Sequence, residues 1–389
     1  MEQERKIHKI LNIRGSMDWS IYFVVMFLIA FGVIMVYSSS FNLLLDYDGK
    51  VLPLKGQIWL KQLIYGIIGM VIITVGAHIQ VRFSSALLSI IGYPAALALM
   101  VLVIFKGDAT RGAARAIKIS SFSFQPSELT KLAVIVTLAI LLEKWQQYLN
   151  KPKALFYLLA VLAVPVALVA KEDYSTAAVI LAIGGGMIFV AYRNIWQTVV
   201  MGGGLGGTLL VFFYFLKSNR QMRMSLMKGG AWQQADGAGR QTVQSLLAIG
   251  SGGFFGRGLG QSLQKMGRIS QAHHDIIFAI ICEELGFFGA GLILLLYLGL
   301  LYQLLQTAAA AGEIRDSLIV IGVMLQIVSQ VVINIGVASS LLPNTGMPLP
   351  FISYCGSSLL FLCMEIALVL SIAKKNQYQY MKKIEAISE

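Results

Sequence analysis

The residue best placed to do chemistry is Asp275, in the segment QAHHDIIFAI, where a long polar loop gives way to an apolar helix. A carboxylate at the mouth of a membrane cavity is partly desolvated, which moves its pKa towards the range that suits a general base. The alternative is that Asp275 caps the apolar helix, because Asp is favoured at helix N-termini. The two roles are compatible.

A dedicated metal cage beside this acid is not expected. His273 and His274 are adjacent, so they cannot comfortably share one metal ion, and His8 and His78 lie far away in the sequence. A loosely held divalent ion such as Mg²⁺ or Mn²⁺, bound between a diphosphate and a carboxylate, is allowed. No obligatory cofactor is predicted.

Two predicted outer loops carry excess positive charge, which opposes the usual preference for cations on the cytoplasmic side. Arg115 and Lys118 lie in the first of these loops, and Arg240 and Lys265 lie in the second. Binding of an anion such as a lipid diphosphate is one physical reason for such cations. The alternative is that long loops are translocated whatever their charge.

The long loop also contains six glycines between Gly250 and Gly260. Their spacing matches neither dinucleotide-binding nor phosphate-loop patterns, and no strand precedes them. We therefore expect tight turns and close backbone approach in a re-entrant or surface loop. Nucleotide binding is not expected.

Ionisable residues inside predicted spans are costly and need partners. Glu128 and Lys131 are three residues apart, which puts them on one helix face and favours a structural ion pair over direct catalysis. Glu283 and Glu284 are adjacent and must point in different directions, so at least one should face the protein interior. Glu365 lies in the last span.

The elements that position these residues are transmembrane helices. Hydrophobic residues make up 57% of the 389 and charged residues only 13%, whereas soluble domains carry about 25% charge. Apolar runs long enough to cross a bilayer recur along the chain. The fold class is an all-α polytopic membrane protein. Ten spans are predicted, at about 18–39, 58–78, 85–105, 127–144, 154–171, 175–192, 196–216, 276–306, 316–340 and 350–373.

The charges of the short loops set the predicted orientation, with both termini in the cytoplasm. Residues 1–17 and 374–389 are cytoplasmic tails, and 18–373 form one membrane domain whose large outer loop is 217–275. The net charge of +12 follows in part from this bias. No basic soluble domain exists to bind nucleic acid, and an odd number of cysteines without metal spacing argues against disulfides or zinc.

The last outer loop, LLPNTGMPLPFISYCGSS, is rich in proline and in hydroxyl groups such as Ser353. Proline cannot continue a helix. The composition fits either a broken helix that lines a cavity or a plain loop followed by a helix start.

The chain resembles the SEDS proteins of bacterial cell-wall synthesis, the FtsW/RodA/SpoVE group, and its motifs look more like the division and sporulation branch. The likeness is carried by GAARAI…FQPSELTKL at 112–132, EDYSTA at 172–177, QSLLAIGSGGFFGRGLGQSLQK at 244–265, AHHDIIFAIICEELGF at 272–287 and LLPNTGMPLPFISYCGSSLL at 341–360. The chain departs from the family pattern at several positions: Ala116, Glu172–Thr176, His274, Ile276 and Cys355. Asp275 is retained.

The resemblance implies a peptidoglycan glycosyltransferase in the bacterial cytoplasmic membrane that polymerises lipid II on the outer face. The family's proposed catalytic aspartate maps onto Asp275, the general base of an inverting displacement that releases undecaprenyl diphosphate. The implied partners are a class B penicillin-binding protein and the division or elongation machinery. The implied substrate-binding residues are Arg115, Lys118, Arg240, Gln244, Ser245, Lys265 and Ser353.

Two other classes of function stay open at this point. A flippase for the lipid-linked precursor would need polar groups along a path through the membrane, and Glu283, Glu284 and Glu365 in the predicted spans could line one. A non-catalytic scaffold would only recruit its penicillin-binding partner, and its outer acid would be replaceable by Asn.

Overall fold

The computed structural model describes residues 18–40, 58–106, 117–119, 122–149, 152–192, 239–264 and 274–388. A π-helical turn, Leu88–Gly92, joins the helix that ends at Leu87 to the helix that begins at Tyr93, and a 3₁₀ turn, Gln146–Tyr148, follows the helix that ends at Lys144. The strands β1 (Ile117–Ile119) and β2 (Phe122–Phe124) form a short antiparallel hairpin in which Lys118 pairs with Ser123. The helices are α1 (Trp19–Ser40), α2 (Ile58–Gly76), α3 (Val81–Leu87), α4 (Tyr93–Lys106), α5 (Pro126–Lys144), α6 (Pro152–Glu172), α7 (Tyr174–Ala191), α8 (Arg240–Ser251), α9 (Ile277–Ala309), α10 (Ile314–Ala338) and α11 (Gly356–Ser388).

The polytopic helical fold predicted from the sequence is confirmed. Within the described residues, eight helical segments are long and apolar enough to cross a membrane, with α3 and α4 acting as one continuous segment. They correspond to eight of the ten predicted spans. The predicted span 196–216 and most of the loop 217–275 lie outside the described residues.

The predicted span 127–144 corresponds to α5, which is the central helix of the bundle. Helices α4, α6, α7, α10 and α11 all pack against it. Most side chains from Pro126 to Leu142 are therefore buried, and these include the charged residues Glu128 and Lys131 near the start of the helix.

Two polar contacts define the two ends of the bundle. Ser38, near the end of α1, donates a hydrogen bond to Glu284, near the start of α9. Lys375, far along α11, contacts Asp316 at the start of α10. Because the end of α1 meets the start of α9, the start of α9 lies at the opposite end of the bundle from the beginning of α1. The start of α10 and the later part of α11 meet at that other end.

Helix α11 begins later than predicted, at Gly356 rather than at residue 350. Residues 349–353 instead form a turn, in which Ser353 Oγ accepts a hydrogen bond from the Leu349 N–H at 2.8 Å and Phe351 adopts a positive φ of 63°. Pro350 could start a helix, but the hydrogen bond between Ser353 and Leu349 stabilises the turn instead. The segment is therefore a loop followed by a helix start, and α11 then continues through the predicted tail to Ser388.

Helix α9 is broken at Gly286, whose φ of 69° and ψ of −167° are not helical. The glycine-rich segment after α8 pairs with this break, because Phe287 N–H donates to the Gly253 carbonyl at 2.9 Å and Gly258 N–H donates to the Glu284 carbonyl at 2.9 Å. Gly286 lies nine residues into α9, about 14 Å along the helix at 1.5 Å per residue. The segment therefore descends beside α9, as the re-entrant interpretation predicts.

Two glycines at this contact lie so close to the α9 backbone that no side chain would fit. A Cβ on Gly252 would lie 1.9 Å from the Cys282 carbonyl oxygen, and one on Gly256 would lie 2.2 Å from that of Glu284. Gly256 also has a φ of 78°, which side-chain-bearing residues rarely adopt. The expectation of close backbone approach is confirmed at these two positions.

Candidate functional site

Asp275 lies in the turn that precedes α9, beside the first turn of α8. Gln241 Nε2 donates to both carboxylate oxygens, at 3.5 Å to Oδ1 and 3.4 Å to Oδ2. Asn344 Nδ2 donates to Gln241 Oε1 at 2.6 Å, which orients the Gln241 amide with its NH₂ group towards the acid. The carboxylate is therefore held by a two-residue chain that starts in the 339–355 loop.

The backbone of Asp275 is held from a different element. Asn334, near the end of α10, donates to the Asp275 carbonyl at 2.9 Å and to the Met347 carbonyl at 2.8 Å. One buried amide thus ties the turn before α9 to the loop after α10. Since Asn334 itself is fully buried, we conclude that the position of Asp275 is fixed by the bundle rather than by its own loop.

Asp275 does not cap α9, so the capping alternative is wrong. The N-cap position is Ile276, and no side chain makes a capping hydrogen bond there. The Asp275 side chain turns instead towards α8, where Gln241 meets it.

Burial raises the pKa of Asp275 from 3.8 to about 6, while hydrogen bonds from its own backbone and from Gln241 oppose the rise. The residue is 8% exposed, so most of the water that would stabilise its charge is excluded. A carboxyl group with a pKa near 6 is ionised at neutral pH and still basic enough to accept a proton from a reacting hydroxyl group. In its pKa, this carboxyl group meets one requirement of a general base.

The other candidate residues occupy different environments. Arg240 is exposed at the start of α8, next to Gln241, and Gln244 is half-buried one turn later. Ser245 is buried and donates to the Ala338 carbonyl at 2.7 Å. The Ser353 hydroxyl group caps the turn before α11.

Three predicted cations cannot be placed in the site from this structure. Arg115 and Lys265 lie outside the described residues, and Lys118 is described only as part of the backbone of β1. Their roles stay predictions.

Glu128 and Lys131 lie deeper in the bundle, on α5. Lys131 Nζ is 2.9 Å from Glu128 Oε2, and both side chains are almost completely buried. The two adjacent glutamates of α9 also have partners: Glu283 accepts hydrogen bonds from Ser262 Oγ and Leu263 N, and Glu284 accepts from α1. Both face the interior, in different directions.

Sequence reasoning did not find Gln241, Asn334 and Asn344, the three amides that hold Asp275. A usable signal existed for Asn334, because Gln326, Gln330 and Asn334 recur every four residues in an otherwise apolar helix. Such spacing puts them on one face. Gln241 is an ordinary residue at a helix start and Asn344 is an ordinary loop residue, so only the fold brings them together.

Within the described part of the chain, no three His, Cys, Asp or Glu side chains are grouped closely enough to hold a metal ion. Asp275 would supply one oxygen ligand, and a divalent ion at this place would need its remaining ligands from a bound anion.

The fold and the site together define a multi-pass helical membrane protein with a desolvated acid at one end of its bundle. The chain belongs to the FtsW/RodA/SpoVE family of cell cycle proteins, whose family model matches residues 18–378. The family predicted from the motifs is confirmed.

Curated relatives support the predicted branch. The chain is 35% identical over 373 residues to stage V sporulation protein E of Bacillus subtilis, covering 94% of this chain and 99% of that protein. It is 32% identical over 367 residues to the probable peptidoglycan glycosyltransferase FtsW of a Geobacter species, covering 92% and 97%.

Solved structures agree with this fold. One similar chain, from work on the structural coordination of polymerization and crosslinking by a peptidoglycan synthase complex, gives a TM-score of 0.77 at 25% identity, covering 93% of this chain and 98% of that one. The rod shape determining protein RodA of Thermus thermophilus gives a TM-score of 0.68 at 26% identity, covering 94% and 98%.

Proposed function

We propose that this protein is a peptidoglycan glycosyltransferase that polymerises lipid II into β-1,4-linked glycan. The observation that carries the proposal is the buried Asp275 carboxyl group, which accepts hydrogen bonds from Gln241. It lies in a chain whose relatives include a protein named a probable peptidoglycan glycosyltransferase. The raised pKa of Asp275 supports a role in proton transfer.

In the proposed reaction, Asp275 accepts the proton of the acceptor 4-hydroxyl group as that oxygen attacks the anomeric carbon of the donor. The bond from this carbon to the diphosphate oxygen breaks, and undecaprenyl diphosphate leaves with the bonding electrons. A single inverting displacement converts the α-linked donor into a β-linked product without a covalent enzyme intermediate. Gln241 and Asn344 orient the carboxylate for this transfer.

The leaving diphosphate needs positive charge close to it. Arg240 is exposed next to Gln241, so its guanidinium group is the described cation best placed for this role. Arg115, Lys118 and Lys265 are proposed to contribute in the same way. A divalent ion bound by the diphosphate would supply further charge stabilisation.

We place the site on the outer face of the cytoplasmic membrane. The start of α9 lies at the opposite end of the bundle from the beginning of α1, and the basic N-terminal tail favours a cytoplasmic location for that end. The lipid II head group is then polymerised where the cell wall is built. A class B penicillin-binding protein is the proposed partner, which fits the likeness to a chain of a peptidoglycan synthase complex.

The test is polymerisation of purified lipid II by the wild-type chain, alone and with its penicillin-binding partner, compared with Asp275→Asn. Asp18→Asn is a matched control, because it makes the same chemical change at the other end of the bundle, where Asp18 accepts a hydrogen bond from the Ser20 N–H. We expect polymer from the wild type and from the control, and none from Asp275→Asn.

Two outcomes would favour other functions. Polymer from a folded Asp275→Asn variant would exclude Asp275 as the base. Absence of polymer from the wild type, with partner and divalent ions present, would favour the flippase or the scaffold. Transport of lipid II across vesicle membranes would then separate those two.

A further inference from the structure

Helix α10 carries a buried polar stripe, and only one of its residues, Asn334, has a part in holding Asp275. Gln326, Gln330 and Asn334 recur at four-residue spacing, so they lie on one helix face, and each is 1% exposed or less. They stand within an apolar helix that is long enough to cross a membrane. Buried amides in such a place are costly unless their hydrogen bonds are made.

The stripe faces the ionisable residues of two neighbouring helices. Gln326 Nε2 donates to Glu365 Oε2 on α11 at 2.9 Å. Lys131 and Glu128, on α5, are the charged groups that act electrostatically on Glu365. Three helices thus contribute to one polar cluster, defined here as Lys131, Gln326, Gln330 and Glu365. Gln330 is included because it lies one turn from Gln326 on the same face of α10.

Several atoms of this cluster have no hydrogen-bond partner among the described residues. Gln330 makes no side-chain hydrogen bond through either its oxygen or its nitrogen, and the same holds for Gln326 Oε1 and Glu365 Oε1. Lys131 Nζ has three protons, and its described contact is the ion pair with Glu128. The cluster therefore combines free donors and free acceptors.

That combination identifies the kind of ligand. A metal ion would satisfy only the oxygens and would be repelled by the Lys131 ammonium group, and an apolar ligand would satisfy none of the atoms. Water both donates and accepts, and buried water typically makes about three hydrogen bonds to groups of this kind.

We propose that the cluster is an internal water site in which bound water joins Gln330 to Glu365 and to Lys131. The water links α5, α10 and α11 inside the bundle, one helical turn below Asn334, which holds the Asp275 carbonyl. The proposal does not depend on the reaction that the protein catalyses.

Gln330→Leu tests the site through the sign of its effect on thermal stability. A dry, unpaired amide destabilises the fold, so its replacement by a side chain of similar shape would raise the Tm. An amide that is hydrogen-bonded to a water molecule shared with charged neighbours stabilises the folded protein, so its replacement should lower the Tm. We expect a lower Tm, and a higher Tm would overturn the proposal.

A double-mutant comparison tests whether the water is shared. Gln330→Leu and Glu365→Gln should be non-additive in Tm, because either change disrupts the same water. Glu284→Gln is the matched control: this fully buried carboxylate has both oxygens bonded to Ser38, and its effect should add to that of Gln330→Leu. Additive effects for Gln330 and Glu365 would refute a shared site.

The wild-type chain in lipid bilayers provides a measurement that needs no variant to fold. In water-edited solid-state NMR, magnetisation should reach the Gln330 side-chain amide from water, as it reaches the exposed amide of Gln377. Transfer to Gln377 without transfer to Gln330 would show that the cluster is dry and would exclude the proposal.

Discussion

Replacing Asp275 with Asn should abolish activity and at the same time stabilise the folded protein at neutral pH. Burial raises the pKa of Asp275 from 3.8 to about 6, and at about 1.4 kcal/mol for each pH unit the buried charge costs about 3 kcal/mol. Asn carries no charge. It forfeits part of the long hydrogen bond with Gln241, worth about 1 kcal/mol, so the net gain should be about 2 kcal/mol.

The gain should depend on pH in a defined direction. The folded protein binds the Asp275 proton more tightly than the unfolded chain does, because the pKa is higher in the folded state. In the wild type this contribution to stability is complete below pH 3.8 and is lost as the pH rises through about 6. Asp275→Asn should therefore show no gain in Tm near pH 4 and its full gain by about pH 7.

Thermal unfolding in detergent, followed by tryptophan fluorescence, would measure this difference at each pH, because that signal does not depend on the ionisation of a thiol. Lipid II polymerisation by the Asp275→Asn samples should fall below detection, because loss of a general base lowers the rate by a factor of about 10² to 10⁴. The reasoning would be refuted if Asp275→Asn had no higher Tm than the wild type at pH 8, or if its Tm gain were the same at pH 4.

The remaining predictions concern the support of the site and the bundle. Gln241→Leu removes hydrogen bonds that lower the pKa of Asp275, so the acid limb of the pH–rate profile should move to higher pH; an unchanged limb would contradict this. Gly256→Ala should destabilise by about 2–4 kcal/mol in thermal unfolding, because of its positive φ and the nearby carbonyl oxygen. Gly250→Ala, with open space around it, is the control and should be neutral or stabilising. Lys375→Met should lower stability by about 1–3 kcal/mol, because it leaves a buried carboxylate on α10 with fewer partners; an unchanged Tm would exclude a stabilising role.

The loss of Lys375 also has a predicted pH signature. The pKa of Glu313 is lowered: although partial burial raises it, the hydrogen bond and charge of Lys375 and the charge of Arg315 outweigh that effect. Glu313 therefore contributes stability that is present above its unfolded pKa and is lost as the pH falls. Lys375→Met should reduce this acid-induced loss of Tm relative to the wild type.

The sequence located the spans well because lipid imposes one strong rule on each of them. A helix that crosses hydrocarbon must be apolar over about 20 residues, and α1, α2, α6 and α7 were readable on that basis. The start of α11 was misplaced because a single side-chain bond from Ser353 stabilises a turn, and such a bond leaves no periodic signal.

Local sequence also indicated Asp275 and the glycines, but it could not define their surroundings. An acid at a boundary between loop and span is visible without a fold, and so is a run of glycines. The choice between cap and base depends on the direction of one side chain. That direction is set by Gln241, which is 34 residues away, and by Asn344, which orients Gln241 from 103 residues away.

By itself, therefore, the sequence determined that the chain is a multi-pass membrane protein with an isolated acid beside a cationic loop. Hydrophobicity and charge act residue by residue, so they can be read in order along the chain. Only the tertiary structure decided which amides hold the acid, how the glycine-rich segment reaches the break in α9, and that Gln326, Gln330 and Glu365 share a buried cluster. These features depend on contacts between distant segments, and their energies come from burial and geometry that exist only once the helices have packed.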